Sequence, residues 1–111
     1  MKNIIRHKKD KVTVVLGGDL RKDTIQSTKD LLNPLVERHS RIEVDFSNVE
    51  MVDSDGLGVI IALNNSLRLK GGSLRVFGVS ESILGLMLLM RLYKHFDIEG
   101  RPLPGGLDVC L

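Results

Sequence analysis

Residues 51–59 read MVDSDGLGV. Just ahead, "RIEVDF" (41–46) alternates with period two, so Ile42, Val44 and Phe46 share one face of a strand. Just behind, Leu57, Ile60, Ile61 and Leu67 recur at helical spacing, with Leu63 wide of that face and Leu69 at its far end. The stretch is a strand-to-helix junction, and at it Ser54 sits between Asp53 and Asp55 with Gly56 next. Three readings compete for Ser54: a helix cap, part of a catalytic aspartate motif, or a serine that another protein modifies.

The rest of the chain extends the same alternation. "NIIRH" and "VTVVL" are β-branched runs joined by the charged turn "KKDK", which predicts a hairpin. "GGDL" breaks the pattern. From about Thr24 to Arg38, Ile25, Leu31, Leu32, Leu35 and Val36 form one helical face, with Asp23 or Thr24 as the cap. Pro34 lies inside that window and predicts a kink there or a break after Asn33. Beyond the junction helix, "KGG" supplies a stop, with Gly71 able to take the left-handed conformation. "SLRVFGV" reads as a strand. "SESILGLMLLMRLYKHF" reads as a helix capped by Ser80 or Ser82 and running to about Leu92, and "FDIE" as a last short strand. The order β-β-α-β-α-β-α, with a final β as an option, predicts an α/β fold with a mixed sheet packed by helices.

The 111 residues fit one domain, with 42% hydrophobic and 27% charged residues. A net charge of +2, with the basic residues scattered except in "RHKKDK", argues against a nucleic-acid partner. Three phenylalanines, one tyrosine and no tryptophan give no base-stacking platform. Cys110 is the only cysteine, which excludes an intrachain disulfide, fits a cytoplasmic compartment and predicts no functional role for that thiol. The N-terminus has no apolar run of signal-peptide length. The most apolar window, "ILGLMLLM" (83–90), is too short to cross a bilayer, which needs roughly 20 residues.

Asp53-x-Asp55-Gly56 after an apolar strand has the form of the nucleophile motif of haloacid-dehalogenase-type phosphatases, where one aspartate attacks phosphorus and the other moves the proton. Leu57 stands where that motif has Thr, and only Asp97 and Glu99 follow as candidate metal-holding acids, so this is a remote alternative. A calcium loop fails because Leu57, Val59 and Ile61 fall where ligands belong. His7, His39 and His95 have no metal-ligand spacing, and no cofactor motif is present. As a cap, either Ser or Asp is worth about 0.5–2 kcal/mol over Ala, and Asp55 suits the helix dipole. Two glycines, Gly56 and Gly58, cost roughly 1 kcal/mol each in a helix. Their presence implies close approach by a neighbouring element or a partner.

The run from Asp45 to Ile98 resembles STAS-domain proteins of the bacterial anti-sigma factor antagonist type. In that family a strand ends in Asp, Asp-Ser-(Ser/Thr/Ala)-Gly-Leu-Gly opens a helix, and a Gly-Gly turn and a strand ending in Gly-Val-Ser follow. "VVLGGDL" extends the likeness loosely toward the start, and residues 99–111 form a C-terminal tail. The resemblance implies a single STAS domain over 1–111, with a four- to five-stranded mixed sheet. It also implies a non-enzymatic, cytoplasmic regulator that binds an anti-sigma factor with serine kinase activity. That kinase would phosphorylate Ser54, switching the antagonist off, and a serine phosphatase would restore it. The partner-facing residues implied here are Asp19, Asp53, Ser54, Asp55, Gly56, Leu57 and Gly58. Three positions depart from the pattern: Asp55 replaces the second Ser/Thr/Ala, Arg21 aligns with an Asp, and Met90 and Arg91 align with Thr-Gly. Some relatives of this shape are docking subunits of lipid-transport or stress-signalling complexes, and the built-in charge of Asp55 suits that alternative. Finally, Ile83–Met90 is apolar on more than one face, which predicts cover by the tail or a surface for a partner or self-association.

Overall fold

The structure, a computed structural model, describes residues 3–8 and 11–101. The turn residues Lys9 and Asp10, and residues 102–111, which hold Cys110 and most of the Arg101–Leu111 tail expected to cover Ile83–Met90, lie outside the described residues, while Glu99 and Gly100, expected at the start of a 99–111 tail, belong to the last strand.

The chain runs β1 (Ile4–Lys8), β2 (Lys11–Val15), α1 (Ile25–Arg38), β3 (Arg41–Asp45), α2 (Ser54–Leu69), β4 (Ser73–Val79), α3 (Glu81–Leu89), a 3₁₀ turn (Leu92–Lys94) and β5 (Asp97–Gly100). The strands lie in sequence order, β1-β2-β3-β4-β5. β1 and β2 pair antiparallel as the expected hairpin; every later pair is parallel. The optional last strand therefore exists and closes one edge of the mixed sheet. Between adjacent parallel strands, crossovers of one hand bring their helices to one face. The burial follows: Val12, Val14, Ile42, Val44, Leu74, Val76 and Ile98 face the core, and the alternate residues Thr13, Glu43, Arg75 and Glu99 are half-buried on the other side. There Arg75 pairs with Glu43 at 3.0 Å and with Glu99, and its guanidinium lies 4.9 Å from the Phe77 ring centre.

Four local expectations change. α1 runs through Pro34 without the break after Asn33, with Leu32 and Leu35 buried on either side and Pro34 itself exposed. The carbonyl whose bond the proline removes can then be served by water. On α2, Leu63 is buried rather than wide of the face, Val59 joins it, and Leu69 is 90% exposed at the last turn. α3 stops at Leu89, about three residues early, since Arg91 takes a left-handed backbone (φ 56°) that ends a helix. Thr24 occupies the N-cap of α1 without capping it; its hydroxyl accepts from Arg21 N at 3.0 Å and donates to the Asp19 carbonyl at 2.9 Å. Gly71 takes the expected left-handed turn (φ 74°) after α2.

Candidate functional site

The junction 51–59 lies at the C-terminal edge of the parallel strands, where α2 begins. It is fixed by a second segment, residues 19–22, running beside it. Leu20 and Val52 form an isolated parallel bridge. Leu20 N donates to Met51 O at 3.1 Å, and Asp53 N donates to Leu20 O at 3.1 Å. Two carboxylates complete the lacing. Asp19 Oδ1 accepts from the backbone N–H of Glu50 (2.8 Å) and Met51 (3.0 Å). Asp53 Oδ1 accepts from Gly56 N and Oδ2 from Lys22 N, both at 2.8 Å. These backbone donors hold both carboxyls below the usual carboxylate range: for Asp53 chiefly the Gly56 N–H and then that of Lys22, for Asp19 the Glu50 N–H and then that of Met51.

Asp53, not Ser54, is therefore the helix cap. Its backbone is extended and its side chain satisfies one of the orphan N–H groups at the start of α2. Ser54 is the first helical residue, and it is exposed, with no hydrogen bond from its hydroxyl to any described residue. Asp55 is exposed in the same first turn. Both oxygens of Asp53 are committed to backbone N–H groups, which is the chemistry of a cap and not of a carboxylate aimed at phosphorus. Among the described residues no group of three or more His, Cys, Asp or Glu could hold a metal ion.

The two glycines have different causes. A Cβ on Gly56 would lie 2.2 Å from Leu20 O and 2.7 Å from Leu20 Cβ, so the close approach is internal. A Cβ on Gly58 would meet nothing within 4 Å. Gly58 instead opens onto a groove of about 270 Å³ between α2 and α3, lined by Val52, Asp53, Ser54, Leu57, Gly58, Ile61, Leu86 and Met90. The groove is mostly apolar, with Ser54 at its rim. Leu86, Leu88, Leu89 and Met90 are all exposed along α3, Leu89 by 83%. A larger groove of about 370 Å³ lies between α1 and α2 around Lys29, Asn33, Glu37 and Ser66; of the 51–59 stretch only Val59 lines it. Of the partner-facing residues expected from the sequence, the structure gathers all seven at one edge. Ser54, Asp55 and Gly58 are exposed, Asp19 and Asp53 are half-buried in the lacing, and Gly56 and Leu57 are buried. Leu20 and the Lys22 N–H carried no signal in the sequence, because their roles come from the backbone and from a chain crossing about thirty residues away.

A one-faced, mostly parallel sheet with Asp-Ser-x-Gly-Leu-Gly at the head of its second crossover helix is the arrangement of a STAS domain. The family model described as "Mlab, STAS domain" matches residues 4–100, and the chain belongs to the STAS-domain family. The anti-sigma-B factor antagonist of Bacillus subtilis is 24% identical over 104 residues, covering 94% of each chain. That of Staphylococcus aureus is 30% identical over 93 residues, covering 78% of this chain and 86% of the other. The Bacillus cell fate determinant SpoIIAA in its phosphorylated form superposes with a TM-score of 0.71 at 14% identity, over 87% of this chain and 90% of that one, a likeness of fold. No helix among the described residues is long and apolar enough to cross a membrane.

Proposed function

We propose that this chain is an anti-sigma factor antagonist: a single cytoplasmic STAS domain spanning 1–111 that acts by binding, with no catalysis of its own. It engages an anti-sigma factor that is also a serine kinase. That kinase phosphorylates Ser54, the phosphorylated form releases the partner, and a serine phosphatase resets it. One observation carries the reading: Ser54 is exposed at the first position of α2 because Asp53 has taken the cap. The names of the curated relatives and the phosphorylated state of one structural neighbour support it. In this reading Ser54, Asp55, Gly58 and the α3 side of the groove meet the partner, Leu57 floors the groove, and Asp19, Asp53 and Gly56 hold it in shape.

The physics suits a switch. Phosphorylation adds about −1.5 to −2 charges at pH 7. The helix N-terminus accommodates that anion, so the domain stays folded. A partner seated in an apolar groove does not accommodate it. A unit charge facing a like charge at 4 Å costs about 1 kcal/mol in water and about 4 at an effective dielectric of 20. Asp53 and Asp55 already make the site negative and blunt the change.

The test is the affinity of the anti-sigma partner, isolated by pull-down with the wild-type chain, for wild type, Ser54→Ala, Ser54→Asp and Asp55→Ser, with phosphate located by mass spectrometry. Ser54→Asp should bind at least about tenfold more weakly than Ser54→Ala, or 1.4 kcal/mol, and Asp55→Ser slightly more tightly than wild type. Phosphate on another residue, or equal affinities for the two Ser54 variants, rejects the switch. Asp55 favours one second reading, a docking subunit of a lipid-transport or stress-signalling complex whose fixed charge replaces the switch. Self-association through the exposed face of α3 is a separate use of that surface, and a strict monomer in light scattering excludes it.

A further inference from the structure

The 46–53 connection between β3 and α2 delivers Ser54, and it is gripped from two sides. On one side is the Asp19 carboxylate already described. On the other is a single guanidinium from just past the end of β5. Arg101 Nη2 donates to the carbonyls of Phe46 (3.0 Å) and Val49 (2.9 Å), Nη1 to Glu50 Oε1 (2.9 Å), and Nε to the Gly78 carbonyl (2.9 Å). Its backbone N–H donates to Val79 O at 3.0 Å, which seats the residue against β4. Gly78 has φ +70° beside the irregular register at the end of β4. A side chain there would strike Ser47 Oγ at 2.6 Å. Three of the four acceptors are backbone carbonyls, two in the 46–53 connection and one in β4, and the planar, five-donor fork of Arg reaches them together. The Glu50 side chain is 67% exposed, so its ion pair contributes little and the carbonyls are the grip.

We infer that Arg101 is a positioning residue for the phosphoacceptor edge: it locks the 46–53 connection, and through it the Asp53 cap and Ser54, to the ends of β4 and β5. The consequence for partner binding rests on the reading proposed above; the lock itself does not. The two grips meet at the 46–50 turn, where Arg101 holds the carbonyls of Phe46 and Val49 and Asp19 holds the N–H of Glu50.

Amide hydrogen exchange by NMR on the full chain tests the lock without any partner. Arg101→Met, and more mildly Arg101→Lys, should speed exchange at Glu50, Met51 and Gly56 by about tenfold, while Val44 and Val76 in the sheet centre keep their wild-type rates. Glu50→Gln, which keeps an acceptor, should leave all of them near wild type. Unchanged exchange at Glu50 and Met51, or uniform acceleration throughout the sheet, overturns the inference. A second arm measures affinity for the anti-sigma partner from the pull-down. Arg101→Lys should weaken binding several-fold while Glu50→Gln does not, and equal affinity for Arg101→Lys and wild type overturns the positioning role. A chain that captures no anti-sigma factor defeats the functional reading alone, and the exchange arm still decides the lock.

Discussion

Ser80 and Ser54 each stand at the start of a helix, α3 and α2, and their hydroxyls have opposite fates. Ser80 is the N-cap of its helix, 7% exposed, and accepts from Ile83 N at 3.3 Å. Ser54 is one position further on, exposed, because the residue before it is an aspartate that caps in its place. One residue of register separates a serine that the fold consumes from one that it leaves to solvent. The same contrast recurs in the glycines of α2: Gly56 is filled by Leu20, and Gly58 faces the groove.

The glycine contrast predicts the largest difference. Gly56→Ala forces a methyl onto the Leu20 carbonyl, which is backbone and cannot turn aside. We expect a loss of about 1–3 kcal/mol in urea unfolding, the range for overpacking. Gly58→Ala meets open space and removes a helix glycine, so it should gain up to about 1 kcal/mol. Equal effects of the two substitutions would mean that residues 19–22 do not pack on α2 as described.

The serine contrast comes next. Ser80→Ala strips a cap and leaves a buried N–H without its acceptor, at a cost of about 0.5–2 kcal/mol. Ser54→Ala should stay within about 0.5 kcal/mol of wild type, as an exposed substitution whose side chain takes no part in the cap. A Ser54→Ala variant as unstable as Ser80→Ala would show that Ser54 shares the capping and would weaken its candidacy as a free acceptor.

The end of α3 offers a smaller gain. Arg91 holds φ 56°, a conformation that costs an L-residue roughly 1–2 kcal/mol. Glycine removes that cost and gives back part of it as unfolded-chain entropy. Arg91→Gly should therefore raise stability by about 0.5–1 kcal/mol with the groove unchanged. A loss on this substitution would indicate that the Arg91 side chain makes a contact worth more than its strain.

These cases show which parts of the molecule were legible in its sequence. The strands were, because Val12/Val14, Ile42/Val44 and Leu74/Val76 alternate cleanly over a one-faced sheet. The place of the motif at one edge of the sheet was, because it sits where a strand hands over to a helix. The choice of Asp53 over Ser54 as cap was not, since both residue types cap equally well. Leu69 looked like core because helical spacing does not reveal where a helix outruns its sheet. The end of α3 was hinted at only by the alignment of Arg91 with a glycine. Arg101 carried no signal, since three of the four groups it binds are carbonyls, which every residue has.

The smallest effect expected is a pH dependence at the lacing between residues 19–22 and 50–53. The carboxyls of Asp19 and Asp53 are held below the usual carboxylate range by backbone donors, those of Glu50 and Gly56 first. A carboxyl whose folded pKa is depressed adds stability above its unfolded pKa, and that stability is lost as pH falls through the folded value. The lacing should therefore hold at full strength above about pH 4 and loosen below it. Both carboxyls lie near solvent, so screening keeps the effect small. Asp19→Asn isolates one of them: the amide oxygen still accepts from Glu50 and Met51 N–H, and it does not titrate. The difference in thermal midpoint between wild type and Asp19→Asn should be positive at pH 6 and shrink as pH falls below about 4. A difference that grows on acidification would require a raised carboxyl pKa and would contradict the hydrogen bonds that tie Asp19 to the chain leading to Ser54.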